Sequence, residues 1–149
     1  MRACMMAMVI TLVMALAPAT FVAKVPREDQ PLVVQAVAPA YPPIAATAGA
    51  AGTVVIEVRL KADGSVSSAR VVNGIGVLAA AATNSARRWT FVGTDEQNNP
   101  RVVRLMFVFR IMPRDTPKDE LLPIFMPPYK VEVRATVPKA VDSVNRDSP

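Results

Sequence analysis

The sequence predicts a small α+β domain: a three-stranded antiparallel sheet in the order 2-1-3, with one short and one longer helix packed on one face. Three observations carry this expectation. Two alternating apolar runs, Thr53 to Leu60 and Val66 to Val72, flank the turn signal Ala62-Asp63-Gly64. Val77 to Trp89 then repeats its apolar residues at helical spacing, and Val102 to Ile111 returns to alternation. Strand, turn, strand, helix, strand lets a helix bury one face of one sheet.

The short helix is expected just after Tyr41-Pro42-Pro43. Proline suits the first helical positions, Ile44 to Ala48 can follow, and Gly49 is placed to stop it. In the first strand Val54, Ile56, Val58 and Leu60 share a face opposite Val55, Glu57 and Arg59. Gly64 supplies the φ > 0 position of a bulged hairpin, and the phase of Val66 against Ala69 and Val71 predicts a bulge near Ser67-Ser68. In the longer helix Leu78, Ala81, Ala82, Ser85 and Trp89 form the apolar face, with Arg87 and Arg88 in the last turn, where the helix dipole favours cations. No N-cap residue precedes Val77. Trp89 reads as the large core residue that anchors helix to sheet.

After the polar loop Gly93 to Arg101, Val103, Leu105, Phe107, Phe109 and Ile111 share a core face in the closing strand. Val102, Arg104, Met106, Val108 and Arg110 share the other. In the order 2-1-3 this strand is a long apolar edge, an aggregation hazard unless it is used.

Composition narrows the function classes. The chain of 149 residues has a formal charge of +5, and Arg2 is the single charge in residues 1–23, so without them 16 basic residues stand against 12 acidic ones. That surplus is spread thinly and is not interleaved with aromatics, which argues against nucleic-acid binding. There is no His, and the one Cys is Cys4. The commonest general base and the commonest transition-metal ligand are thus absent. Ser65, Ser67, Ser68 and Ser85 have no His to activate them. The acid pairs Glu28-Asp29, Asp95-Glu96 and Asp119-Glu120 lie in loops or linker, and Gly74-Ile75-Gly76 lacks the rest of a phosphate loop. No catalytic residue, metal site or cofactor is expected, and the protein does not read as an enzyme.

Residues 1–23 have a short basic start, an apolar run from Met5 to Leu16 broken by Thr11, and small residues at Ala17, Ala19 and Ala23. This describes a secretory signal peptide. The rival reading is an uncleaved anchor, for which the uncharged run from Met5 to Ala23 barely reaches the roughly 17–25 residues a bilayer requires. Either way the rest of the chain is expected to be exported to the periplasm, with membrane association only if the segment stays uncleaved. Residues 24–40 are a linker by composition, with Pro26, Pro31 and Pro39, in which Leu32-Val33-Val34 reads as an arm or a short edge strand.

Residues 41–112 hold the domain, and five of its features together resemble the C-terminal domain of the TonB family, the periplasmic energy transducers of Gram-negative bacteria. They are Tyr41-Pro42, Gly52-x-Val54, Asp63-Gly64-x-Val66, Ala86-Arg87-Arg88-Trp89-x-Phe91 and the apolar closing strand. The resemblance implies a three-stranded sheet packed on helices. It also implies capture of a segment of an outer-membrane transporter, or another envelope protein, as an added strand on the edge of the closing strand. Carried onto this chain, the partner-binding residues are Arg101, Val102, Val103, Arg104, Leu105, Met106, Phe107, Val108 and Phe109. A second reading is a structural or assembly module of the cell envelope that self-associates, as a homodimer, through the same edge. Where the family's spacer is long, residues 24–40 reach only about 60 Å fully extended.

Residues 113–149 are a Pro-rich tail. From Met112 onward lie half of the chain's 14 prolines. Within the tail Val131, Val133, Ala135 and Val137 alternate with polar residues, a strand signal over 130–137. Two readings stand: a flexible or locally paired tail, or a strand that folds back, or reaches to a second copy, to cap the edge of Val102 to Ile111.

Overall fold

The structure is a computed structural model that describes residues 30–94 and 101–138. The targeting segment expected in residues 1–23, linker residues 24–29, the middle of the polar loop and residues 139–149 of the tail lie outside the described residues.

The chain runs through β1 (Val33–Gln35), α1 (Pro43–Thr47), β2 (Gly52–Leu60), β3 (Val66–Asn73), α2 (Gly76–Ala86), β4 (Thr90–Phe91) and β5 (Arg101–Met112). A 3-10 turn (Lys118–Leu121) then leads to β6 (Ile124–Met126) and β7 (Lys130–Thr136). β2 alternates buried Val54, Ile56, Val58 and Leu60 with the more exposed Val55, Glu57 and Arg59, as the period-two pattern requires. β2 and β3 pair antiparallel with two register shifts. One leaves Ser67 unpaired, where the bulge was expected, and a second falls at Val72. Gly64 sits at φ 85 in the connecting turn, and a Cβ there would lie 1.8 Å from the Phe91 carbonyl oxygen, so only glycine fits. Asp63 accepts from the Ser65 hydroxyl and backbone N–H, which hold its carboxyl below the usual range.

α2 is shorter than expected. It ends at Ala86, with Arg87 as its C-cap, so the two arginines lie beyond the last turn. Its buried face is Leu78, Ala79, Ala82, Ser85 and Ala86, rotated from the expected one by exchange of Ala81 for Ala79. The alanines tolerate either rotation; Leu78 and Trp89 set it. As the sequence suggests, the N-cap position, Ile75, has no capping side chain.

The expected sheet of three antiparallel strands is corrected to five mixed strands, in the order β3-β2-β5-β7-β6. The expected order 2-1-3 survives as β3-β2-β5. Beyond it β7 pairs with β5 in parallel, Met106 opposite Lys130 through Met112 opposite Thr136. β6 then adds antiparallel to β7. A parallel pair cannot be closed by a tight turn, and the intervening residues 113–129, with their prolines, read as tail because they carry no period. The energetic reason for the pairing is visible in β7, where Val131 and Val133 are buried in the core cluster. β1 pairs with β4 as a separate two-stranded ribbon, so Val33–Gln35 is a strand docked on the domain.

The core lies on one side of the sheet. Trp89 is 2% exposed and packs near Phe91 and Phe107 at ring-centroid distances of 6.2 and 6.1 Å. Phe91 reaches Tyr129 of the tail at 6.1 Å, and Tyr41 meets Phe109 edge-on at 5.3 Å. The Trp89 indole N–H donates to the Val37 carbonyl at 2.8 Å, and the Ser85 hydroxyl donates to the same oxygen. The arm is thereby fastened to α2 and to the core.

Candidate partner-binding edge

β5 has two edges. The inner one pairs with β2 without a register shift, from Leu60 opposite Arg101 to Gly52 opposite Phe109. The outer one meets β7 only from Met106 onward. Among the described residues no strand lies against the outer edge of Arg101 to Leu105. The Met106 N–H donates outward to the Tyr129 carbonyl at 2.8 Å. Backbone groups alternate sides along a strand, so the N–H and C=O of Arg104 and Val102 point outward as well. A row of such groups is a template for another strand.

The nine residues expected to bind a partner therefore fall into two groups. Arg101, Val102, Val103, Arg104 and Leu105 carry the open part of the edge. Met106, Phe107, Val108 and Phe109 lie where β7 is already paired. Val103, Leu105, Phe107 and Phe109 are buried in the core and turn their main-chain groups to β2, so on the open part of the outer edge the free main-chain groups are those of Val102 and Arg104. The Arg101 guanidinium donates to the Val92 carbonyl at 2.8 Å and ties the start of β5 to the segment after β4.

The sheet ends in β3 and the three-residue β6, and β3 is less suited to pairing than the open part of β5. The two register shifts of β3 interrupt the regular row of backbone groups, a common protection of edge strands. Between the edges, the sheet face away from the core is cationic. Arg59, Arg70, Arg104, Arg110, Lys130 and Arg134 share it with two acids, Glu57 and Glu132. Each acid is held by two arginines: Glu57 by Arg70 at 2.7 Å and Arg104 at 3.5 Å, Glu132 by Arg134 at 2.8 Å and Arg110 at 3.1 Å. The hydrogen bond from Arg70, with its charge and then Arg104, lowers the Glu57 pKa. The Glu57 pairs, whose arginines are exposed, contribute little to stability, whereas Glu132 is buried and depends on Arg134 and Arg110 for its charge; together they leave a surplus of four cations on one face.

An apolar cleft of about 560 Å³ adjoins the end of the open edge. The arm supplies Pro31, Leu32, Val33 and Ala36, the β6–β7 turn supplies Phe125 to Tyr129, and Trp89 lies between them. Tyr129 joins edge and cleft. Its carbonyl ends the open part of the edge at Met106, its ring lines the cleft, and its hydroxyl donates to the Pro31 carbonyl at 2.7 Å. Burial pushes the Tyr129 pKa up, and the nearby Arg101 charge offsets part of that rise. Sequence reasoning missed this cleft, because Phe125 and Tyr129 gain their partners only through the parallel pairing of β7.

Among the described residues there is no group of three or more acidic or Cys side chains that could hold a metal ion, and no helix long and apolar enough to cross a membrane. A family model described as Gram-negative bacterial TonB protein C-terminal matches residues 37–111, a little over half of the chain. The chain belongs to this family. TonB C-terminal domains are non-enzymatic transducer and interaction domains of the envelope, and they interact in general with outer-membrane transporters. The matched segment begins after β1 and ends within β5, so the β6–β7 hairpin lies beyond it. Searches of curated proteins and of solved structures found no match.

Proposed function

We propose that this TonB C-terminal domain binds an extended segment of an outer-membrane transporter, or of another envelope protein, as a strand added to the outer edge of β5 in TonB-dependent transport. The domain works in the periplasm, exported by residues 1–23 whether these are cleaved or retained as an anchor. The observation that carries the reading is the outward row of Val102 and Arg104 main-chain groups, in line with β7. Main-chain hydrogen bonds supply affinity there, and alternate side chains supply selectivity.

Magnitudes favour Arg101 to Leu105 over the full nine residues. A partner that also occupied Met106 to Phe109 would have to displace β7 and expose Val131 and Val133. At about 1.5–3 kcal/mol for each side chain, that costs roughly 3–6 kcal/mol, a loss of 100-fold or more in affinity. The segment that needs no displacement is the preferred site.

The test is Val102→Pro in the full chain. Val102 is half exposed, and its N–H faces away from β2, so proline there removes an outward donor and leaves the inner ladder intact. Peptides from the periplasmic ends of the host's outer-membrane transporters are expected to bind the variant at least about 10-fold more weakly, with the circular dichroism spectrum retained. Unchanged affinity would exclude strand addition at this edge.

A further inference from the structure

The geometry points to a side-chain anchor in the partner: the added strand carries one large apolar residue, flanked by acids, which fills the cleft between the arm and the β6–β7 turn. This inference rests on the strand-addition reading and specifies the partner's chemistry.

A strand beside Arg101 to Leu105 alternates its side chains between the two sheet faces. The residue opposite Val103 points to the core side, where Val103 itself is buried. On that side the open edge runs into Tyr129, whose ring is shared with the cleft. The cleft is lined mainly by apolar side chains, and Leu32 and Phe125 on its walls are 71% and 45% exposed. A volume of about 560 Å³ exceeds what one aromatic side chain needs and lies in the range of small-molecule pockets. The neighbouring residues of the added strand, opposite Val102 and Arg104, point to the other face. That face carries six cations against two acids, so carboxylates are matched there and cations are not. A second copy of this chain fits less well, since its own Arg101 to Leu105 would add Arg104 to the cationic face and offer only Val103 on the cleft side.

The chain's single tryptophan lines the cleft, so its emission reports occupancy. The probe is the synthetic peptide acetyl-Thr-Glu-Phe-Glu-Thr-amide, whose sequence reads the same in parallel and antiparallel registers. It is titrated into the full chain, with affinity read from the Val102 and Arg104 amide signals and cleft filling from Trp89 emission. Replacing the peptide's Phe by Ala is expected to weaken binding about 10- to 100-fold, from the apolar area of one aromatic side chain, and to abolish the emission change. Phe125→Ala in the protein, at an exposed position, is expected to weaken the Phe peptide but not the Ala peptide.

Equal affinity of the Phe and Ala peptides, with both lost on N-methylation of the peptide backbone, would overturn the anchor and leave strand addition standing. Binding indifferent to N-methylation, or no binding at all, would overturn both. Trp89 emission that changes on dilution of the protein alone, without peptide response, would place a second copy in the cleft and also overturn the proposal.

Discussion

Trp89 is held on three sides: by Phe91, by Phe107 and through its nitrogen by the Val37 carbonyl. Trp89→Ala should therefore cost about 3–5 kcal/mol, the usual range for a buried aromatic truncated to alanine, read as a lower urea midpoint. The anchoring role was legible in the sequence, because a lone Trp at the end of an apolar helical stripe has few other uses. Its partner Val37 was not legible, since a backbone carbonyl in a Pro-rich arm carries no sequence mark. Glu57 is the residue at which stability should respond to pH. Its carboxyl lies below its ordinary value of 4.5 because Arg70 and Arg104 favour the charged form. A depressed folded-state pKa adds stability that is present above the unfolded value and lost as pH falls through the folded one. Glu57→Gln should thus lower stability at neutral pH and flatten its decline below about pH 4.5, as followed by thermal unfolding at several pH values.

At the scale of elements, α2 and β7 show opposite limits of the sequence. The missing N-cap of α2 was readable, and it gives a direct prediction. Ile75→Asp at the exposed cap position should stabilise by about 1 kcal/mol, since an Asp there can accept from the N2 or N3 amide and suits the helix dipole. Chemical denaturation measures this gain. The rotation of the buried face from Ala81 to Ala79 was not readable, because residues of one size do not distinguish the two faces. For β7 the alternation of Val131 and Val133 marked a strand, while its neighbour depended on contacts across 24 positions, Met106 to Lys130. β6, three residues long, is below the length at which a period can be seen. Val131→Asp, which puts a carboxylate into a fully buried site, should detach β7 while leaving the β2–β3 hairpin in place. Amide exchange at Met106 is expected to speed by at least about 10-fold, and exchange within β2 to stay unchanged.

For the whole molecule, the β3-β2-β5 core, the helix above it and the exposed last edge followed from period and turn chemistry. The tail turned that edge into an interior strand over its second half, and the β6–β7 turn met the arm to form the apolar cleft. What remains open on β5 is a short stretch with cations on one side and the cleft on the other. Strand addition at that stretch is the central claim, and backbone amide exchange of the full chain, with and without a transporter peptide, tests it most directly. Val102 and Arg104 should exchange fast in the free protein and slow on binding, with Met106 to Met112 unchanged because β7 stays in place. Binding that leaves Val102 and Arg104 unprotected, or protects β3 instead, would contradict it.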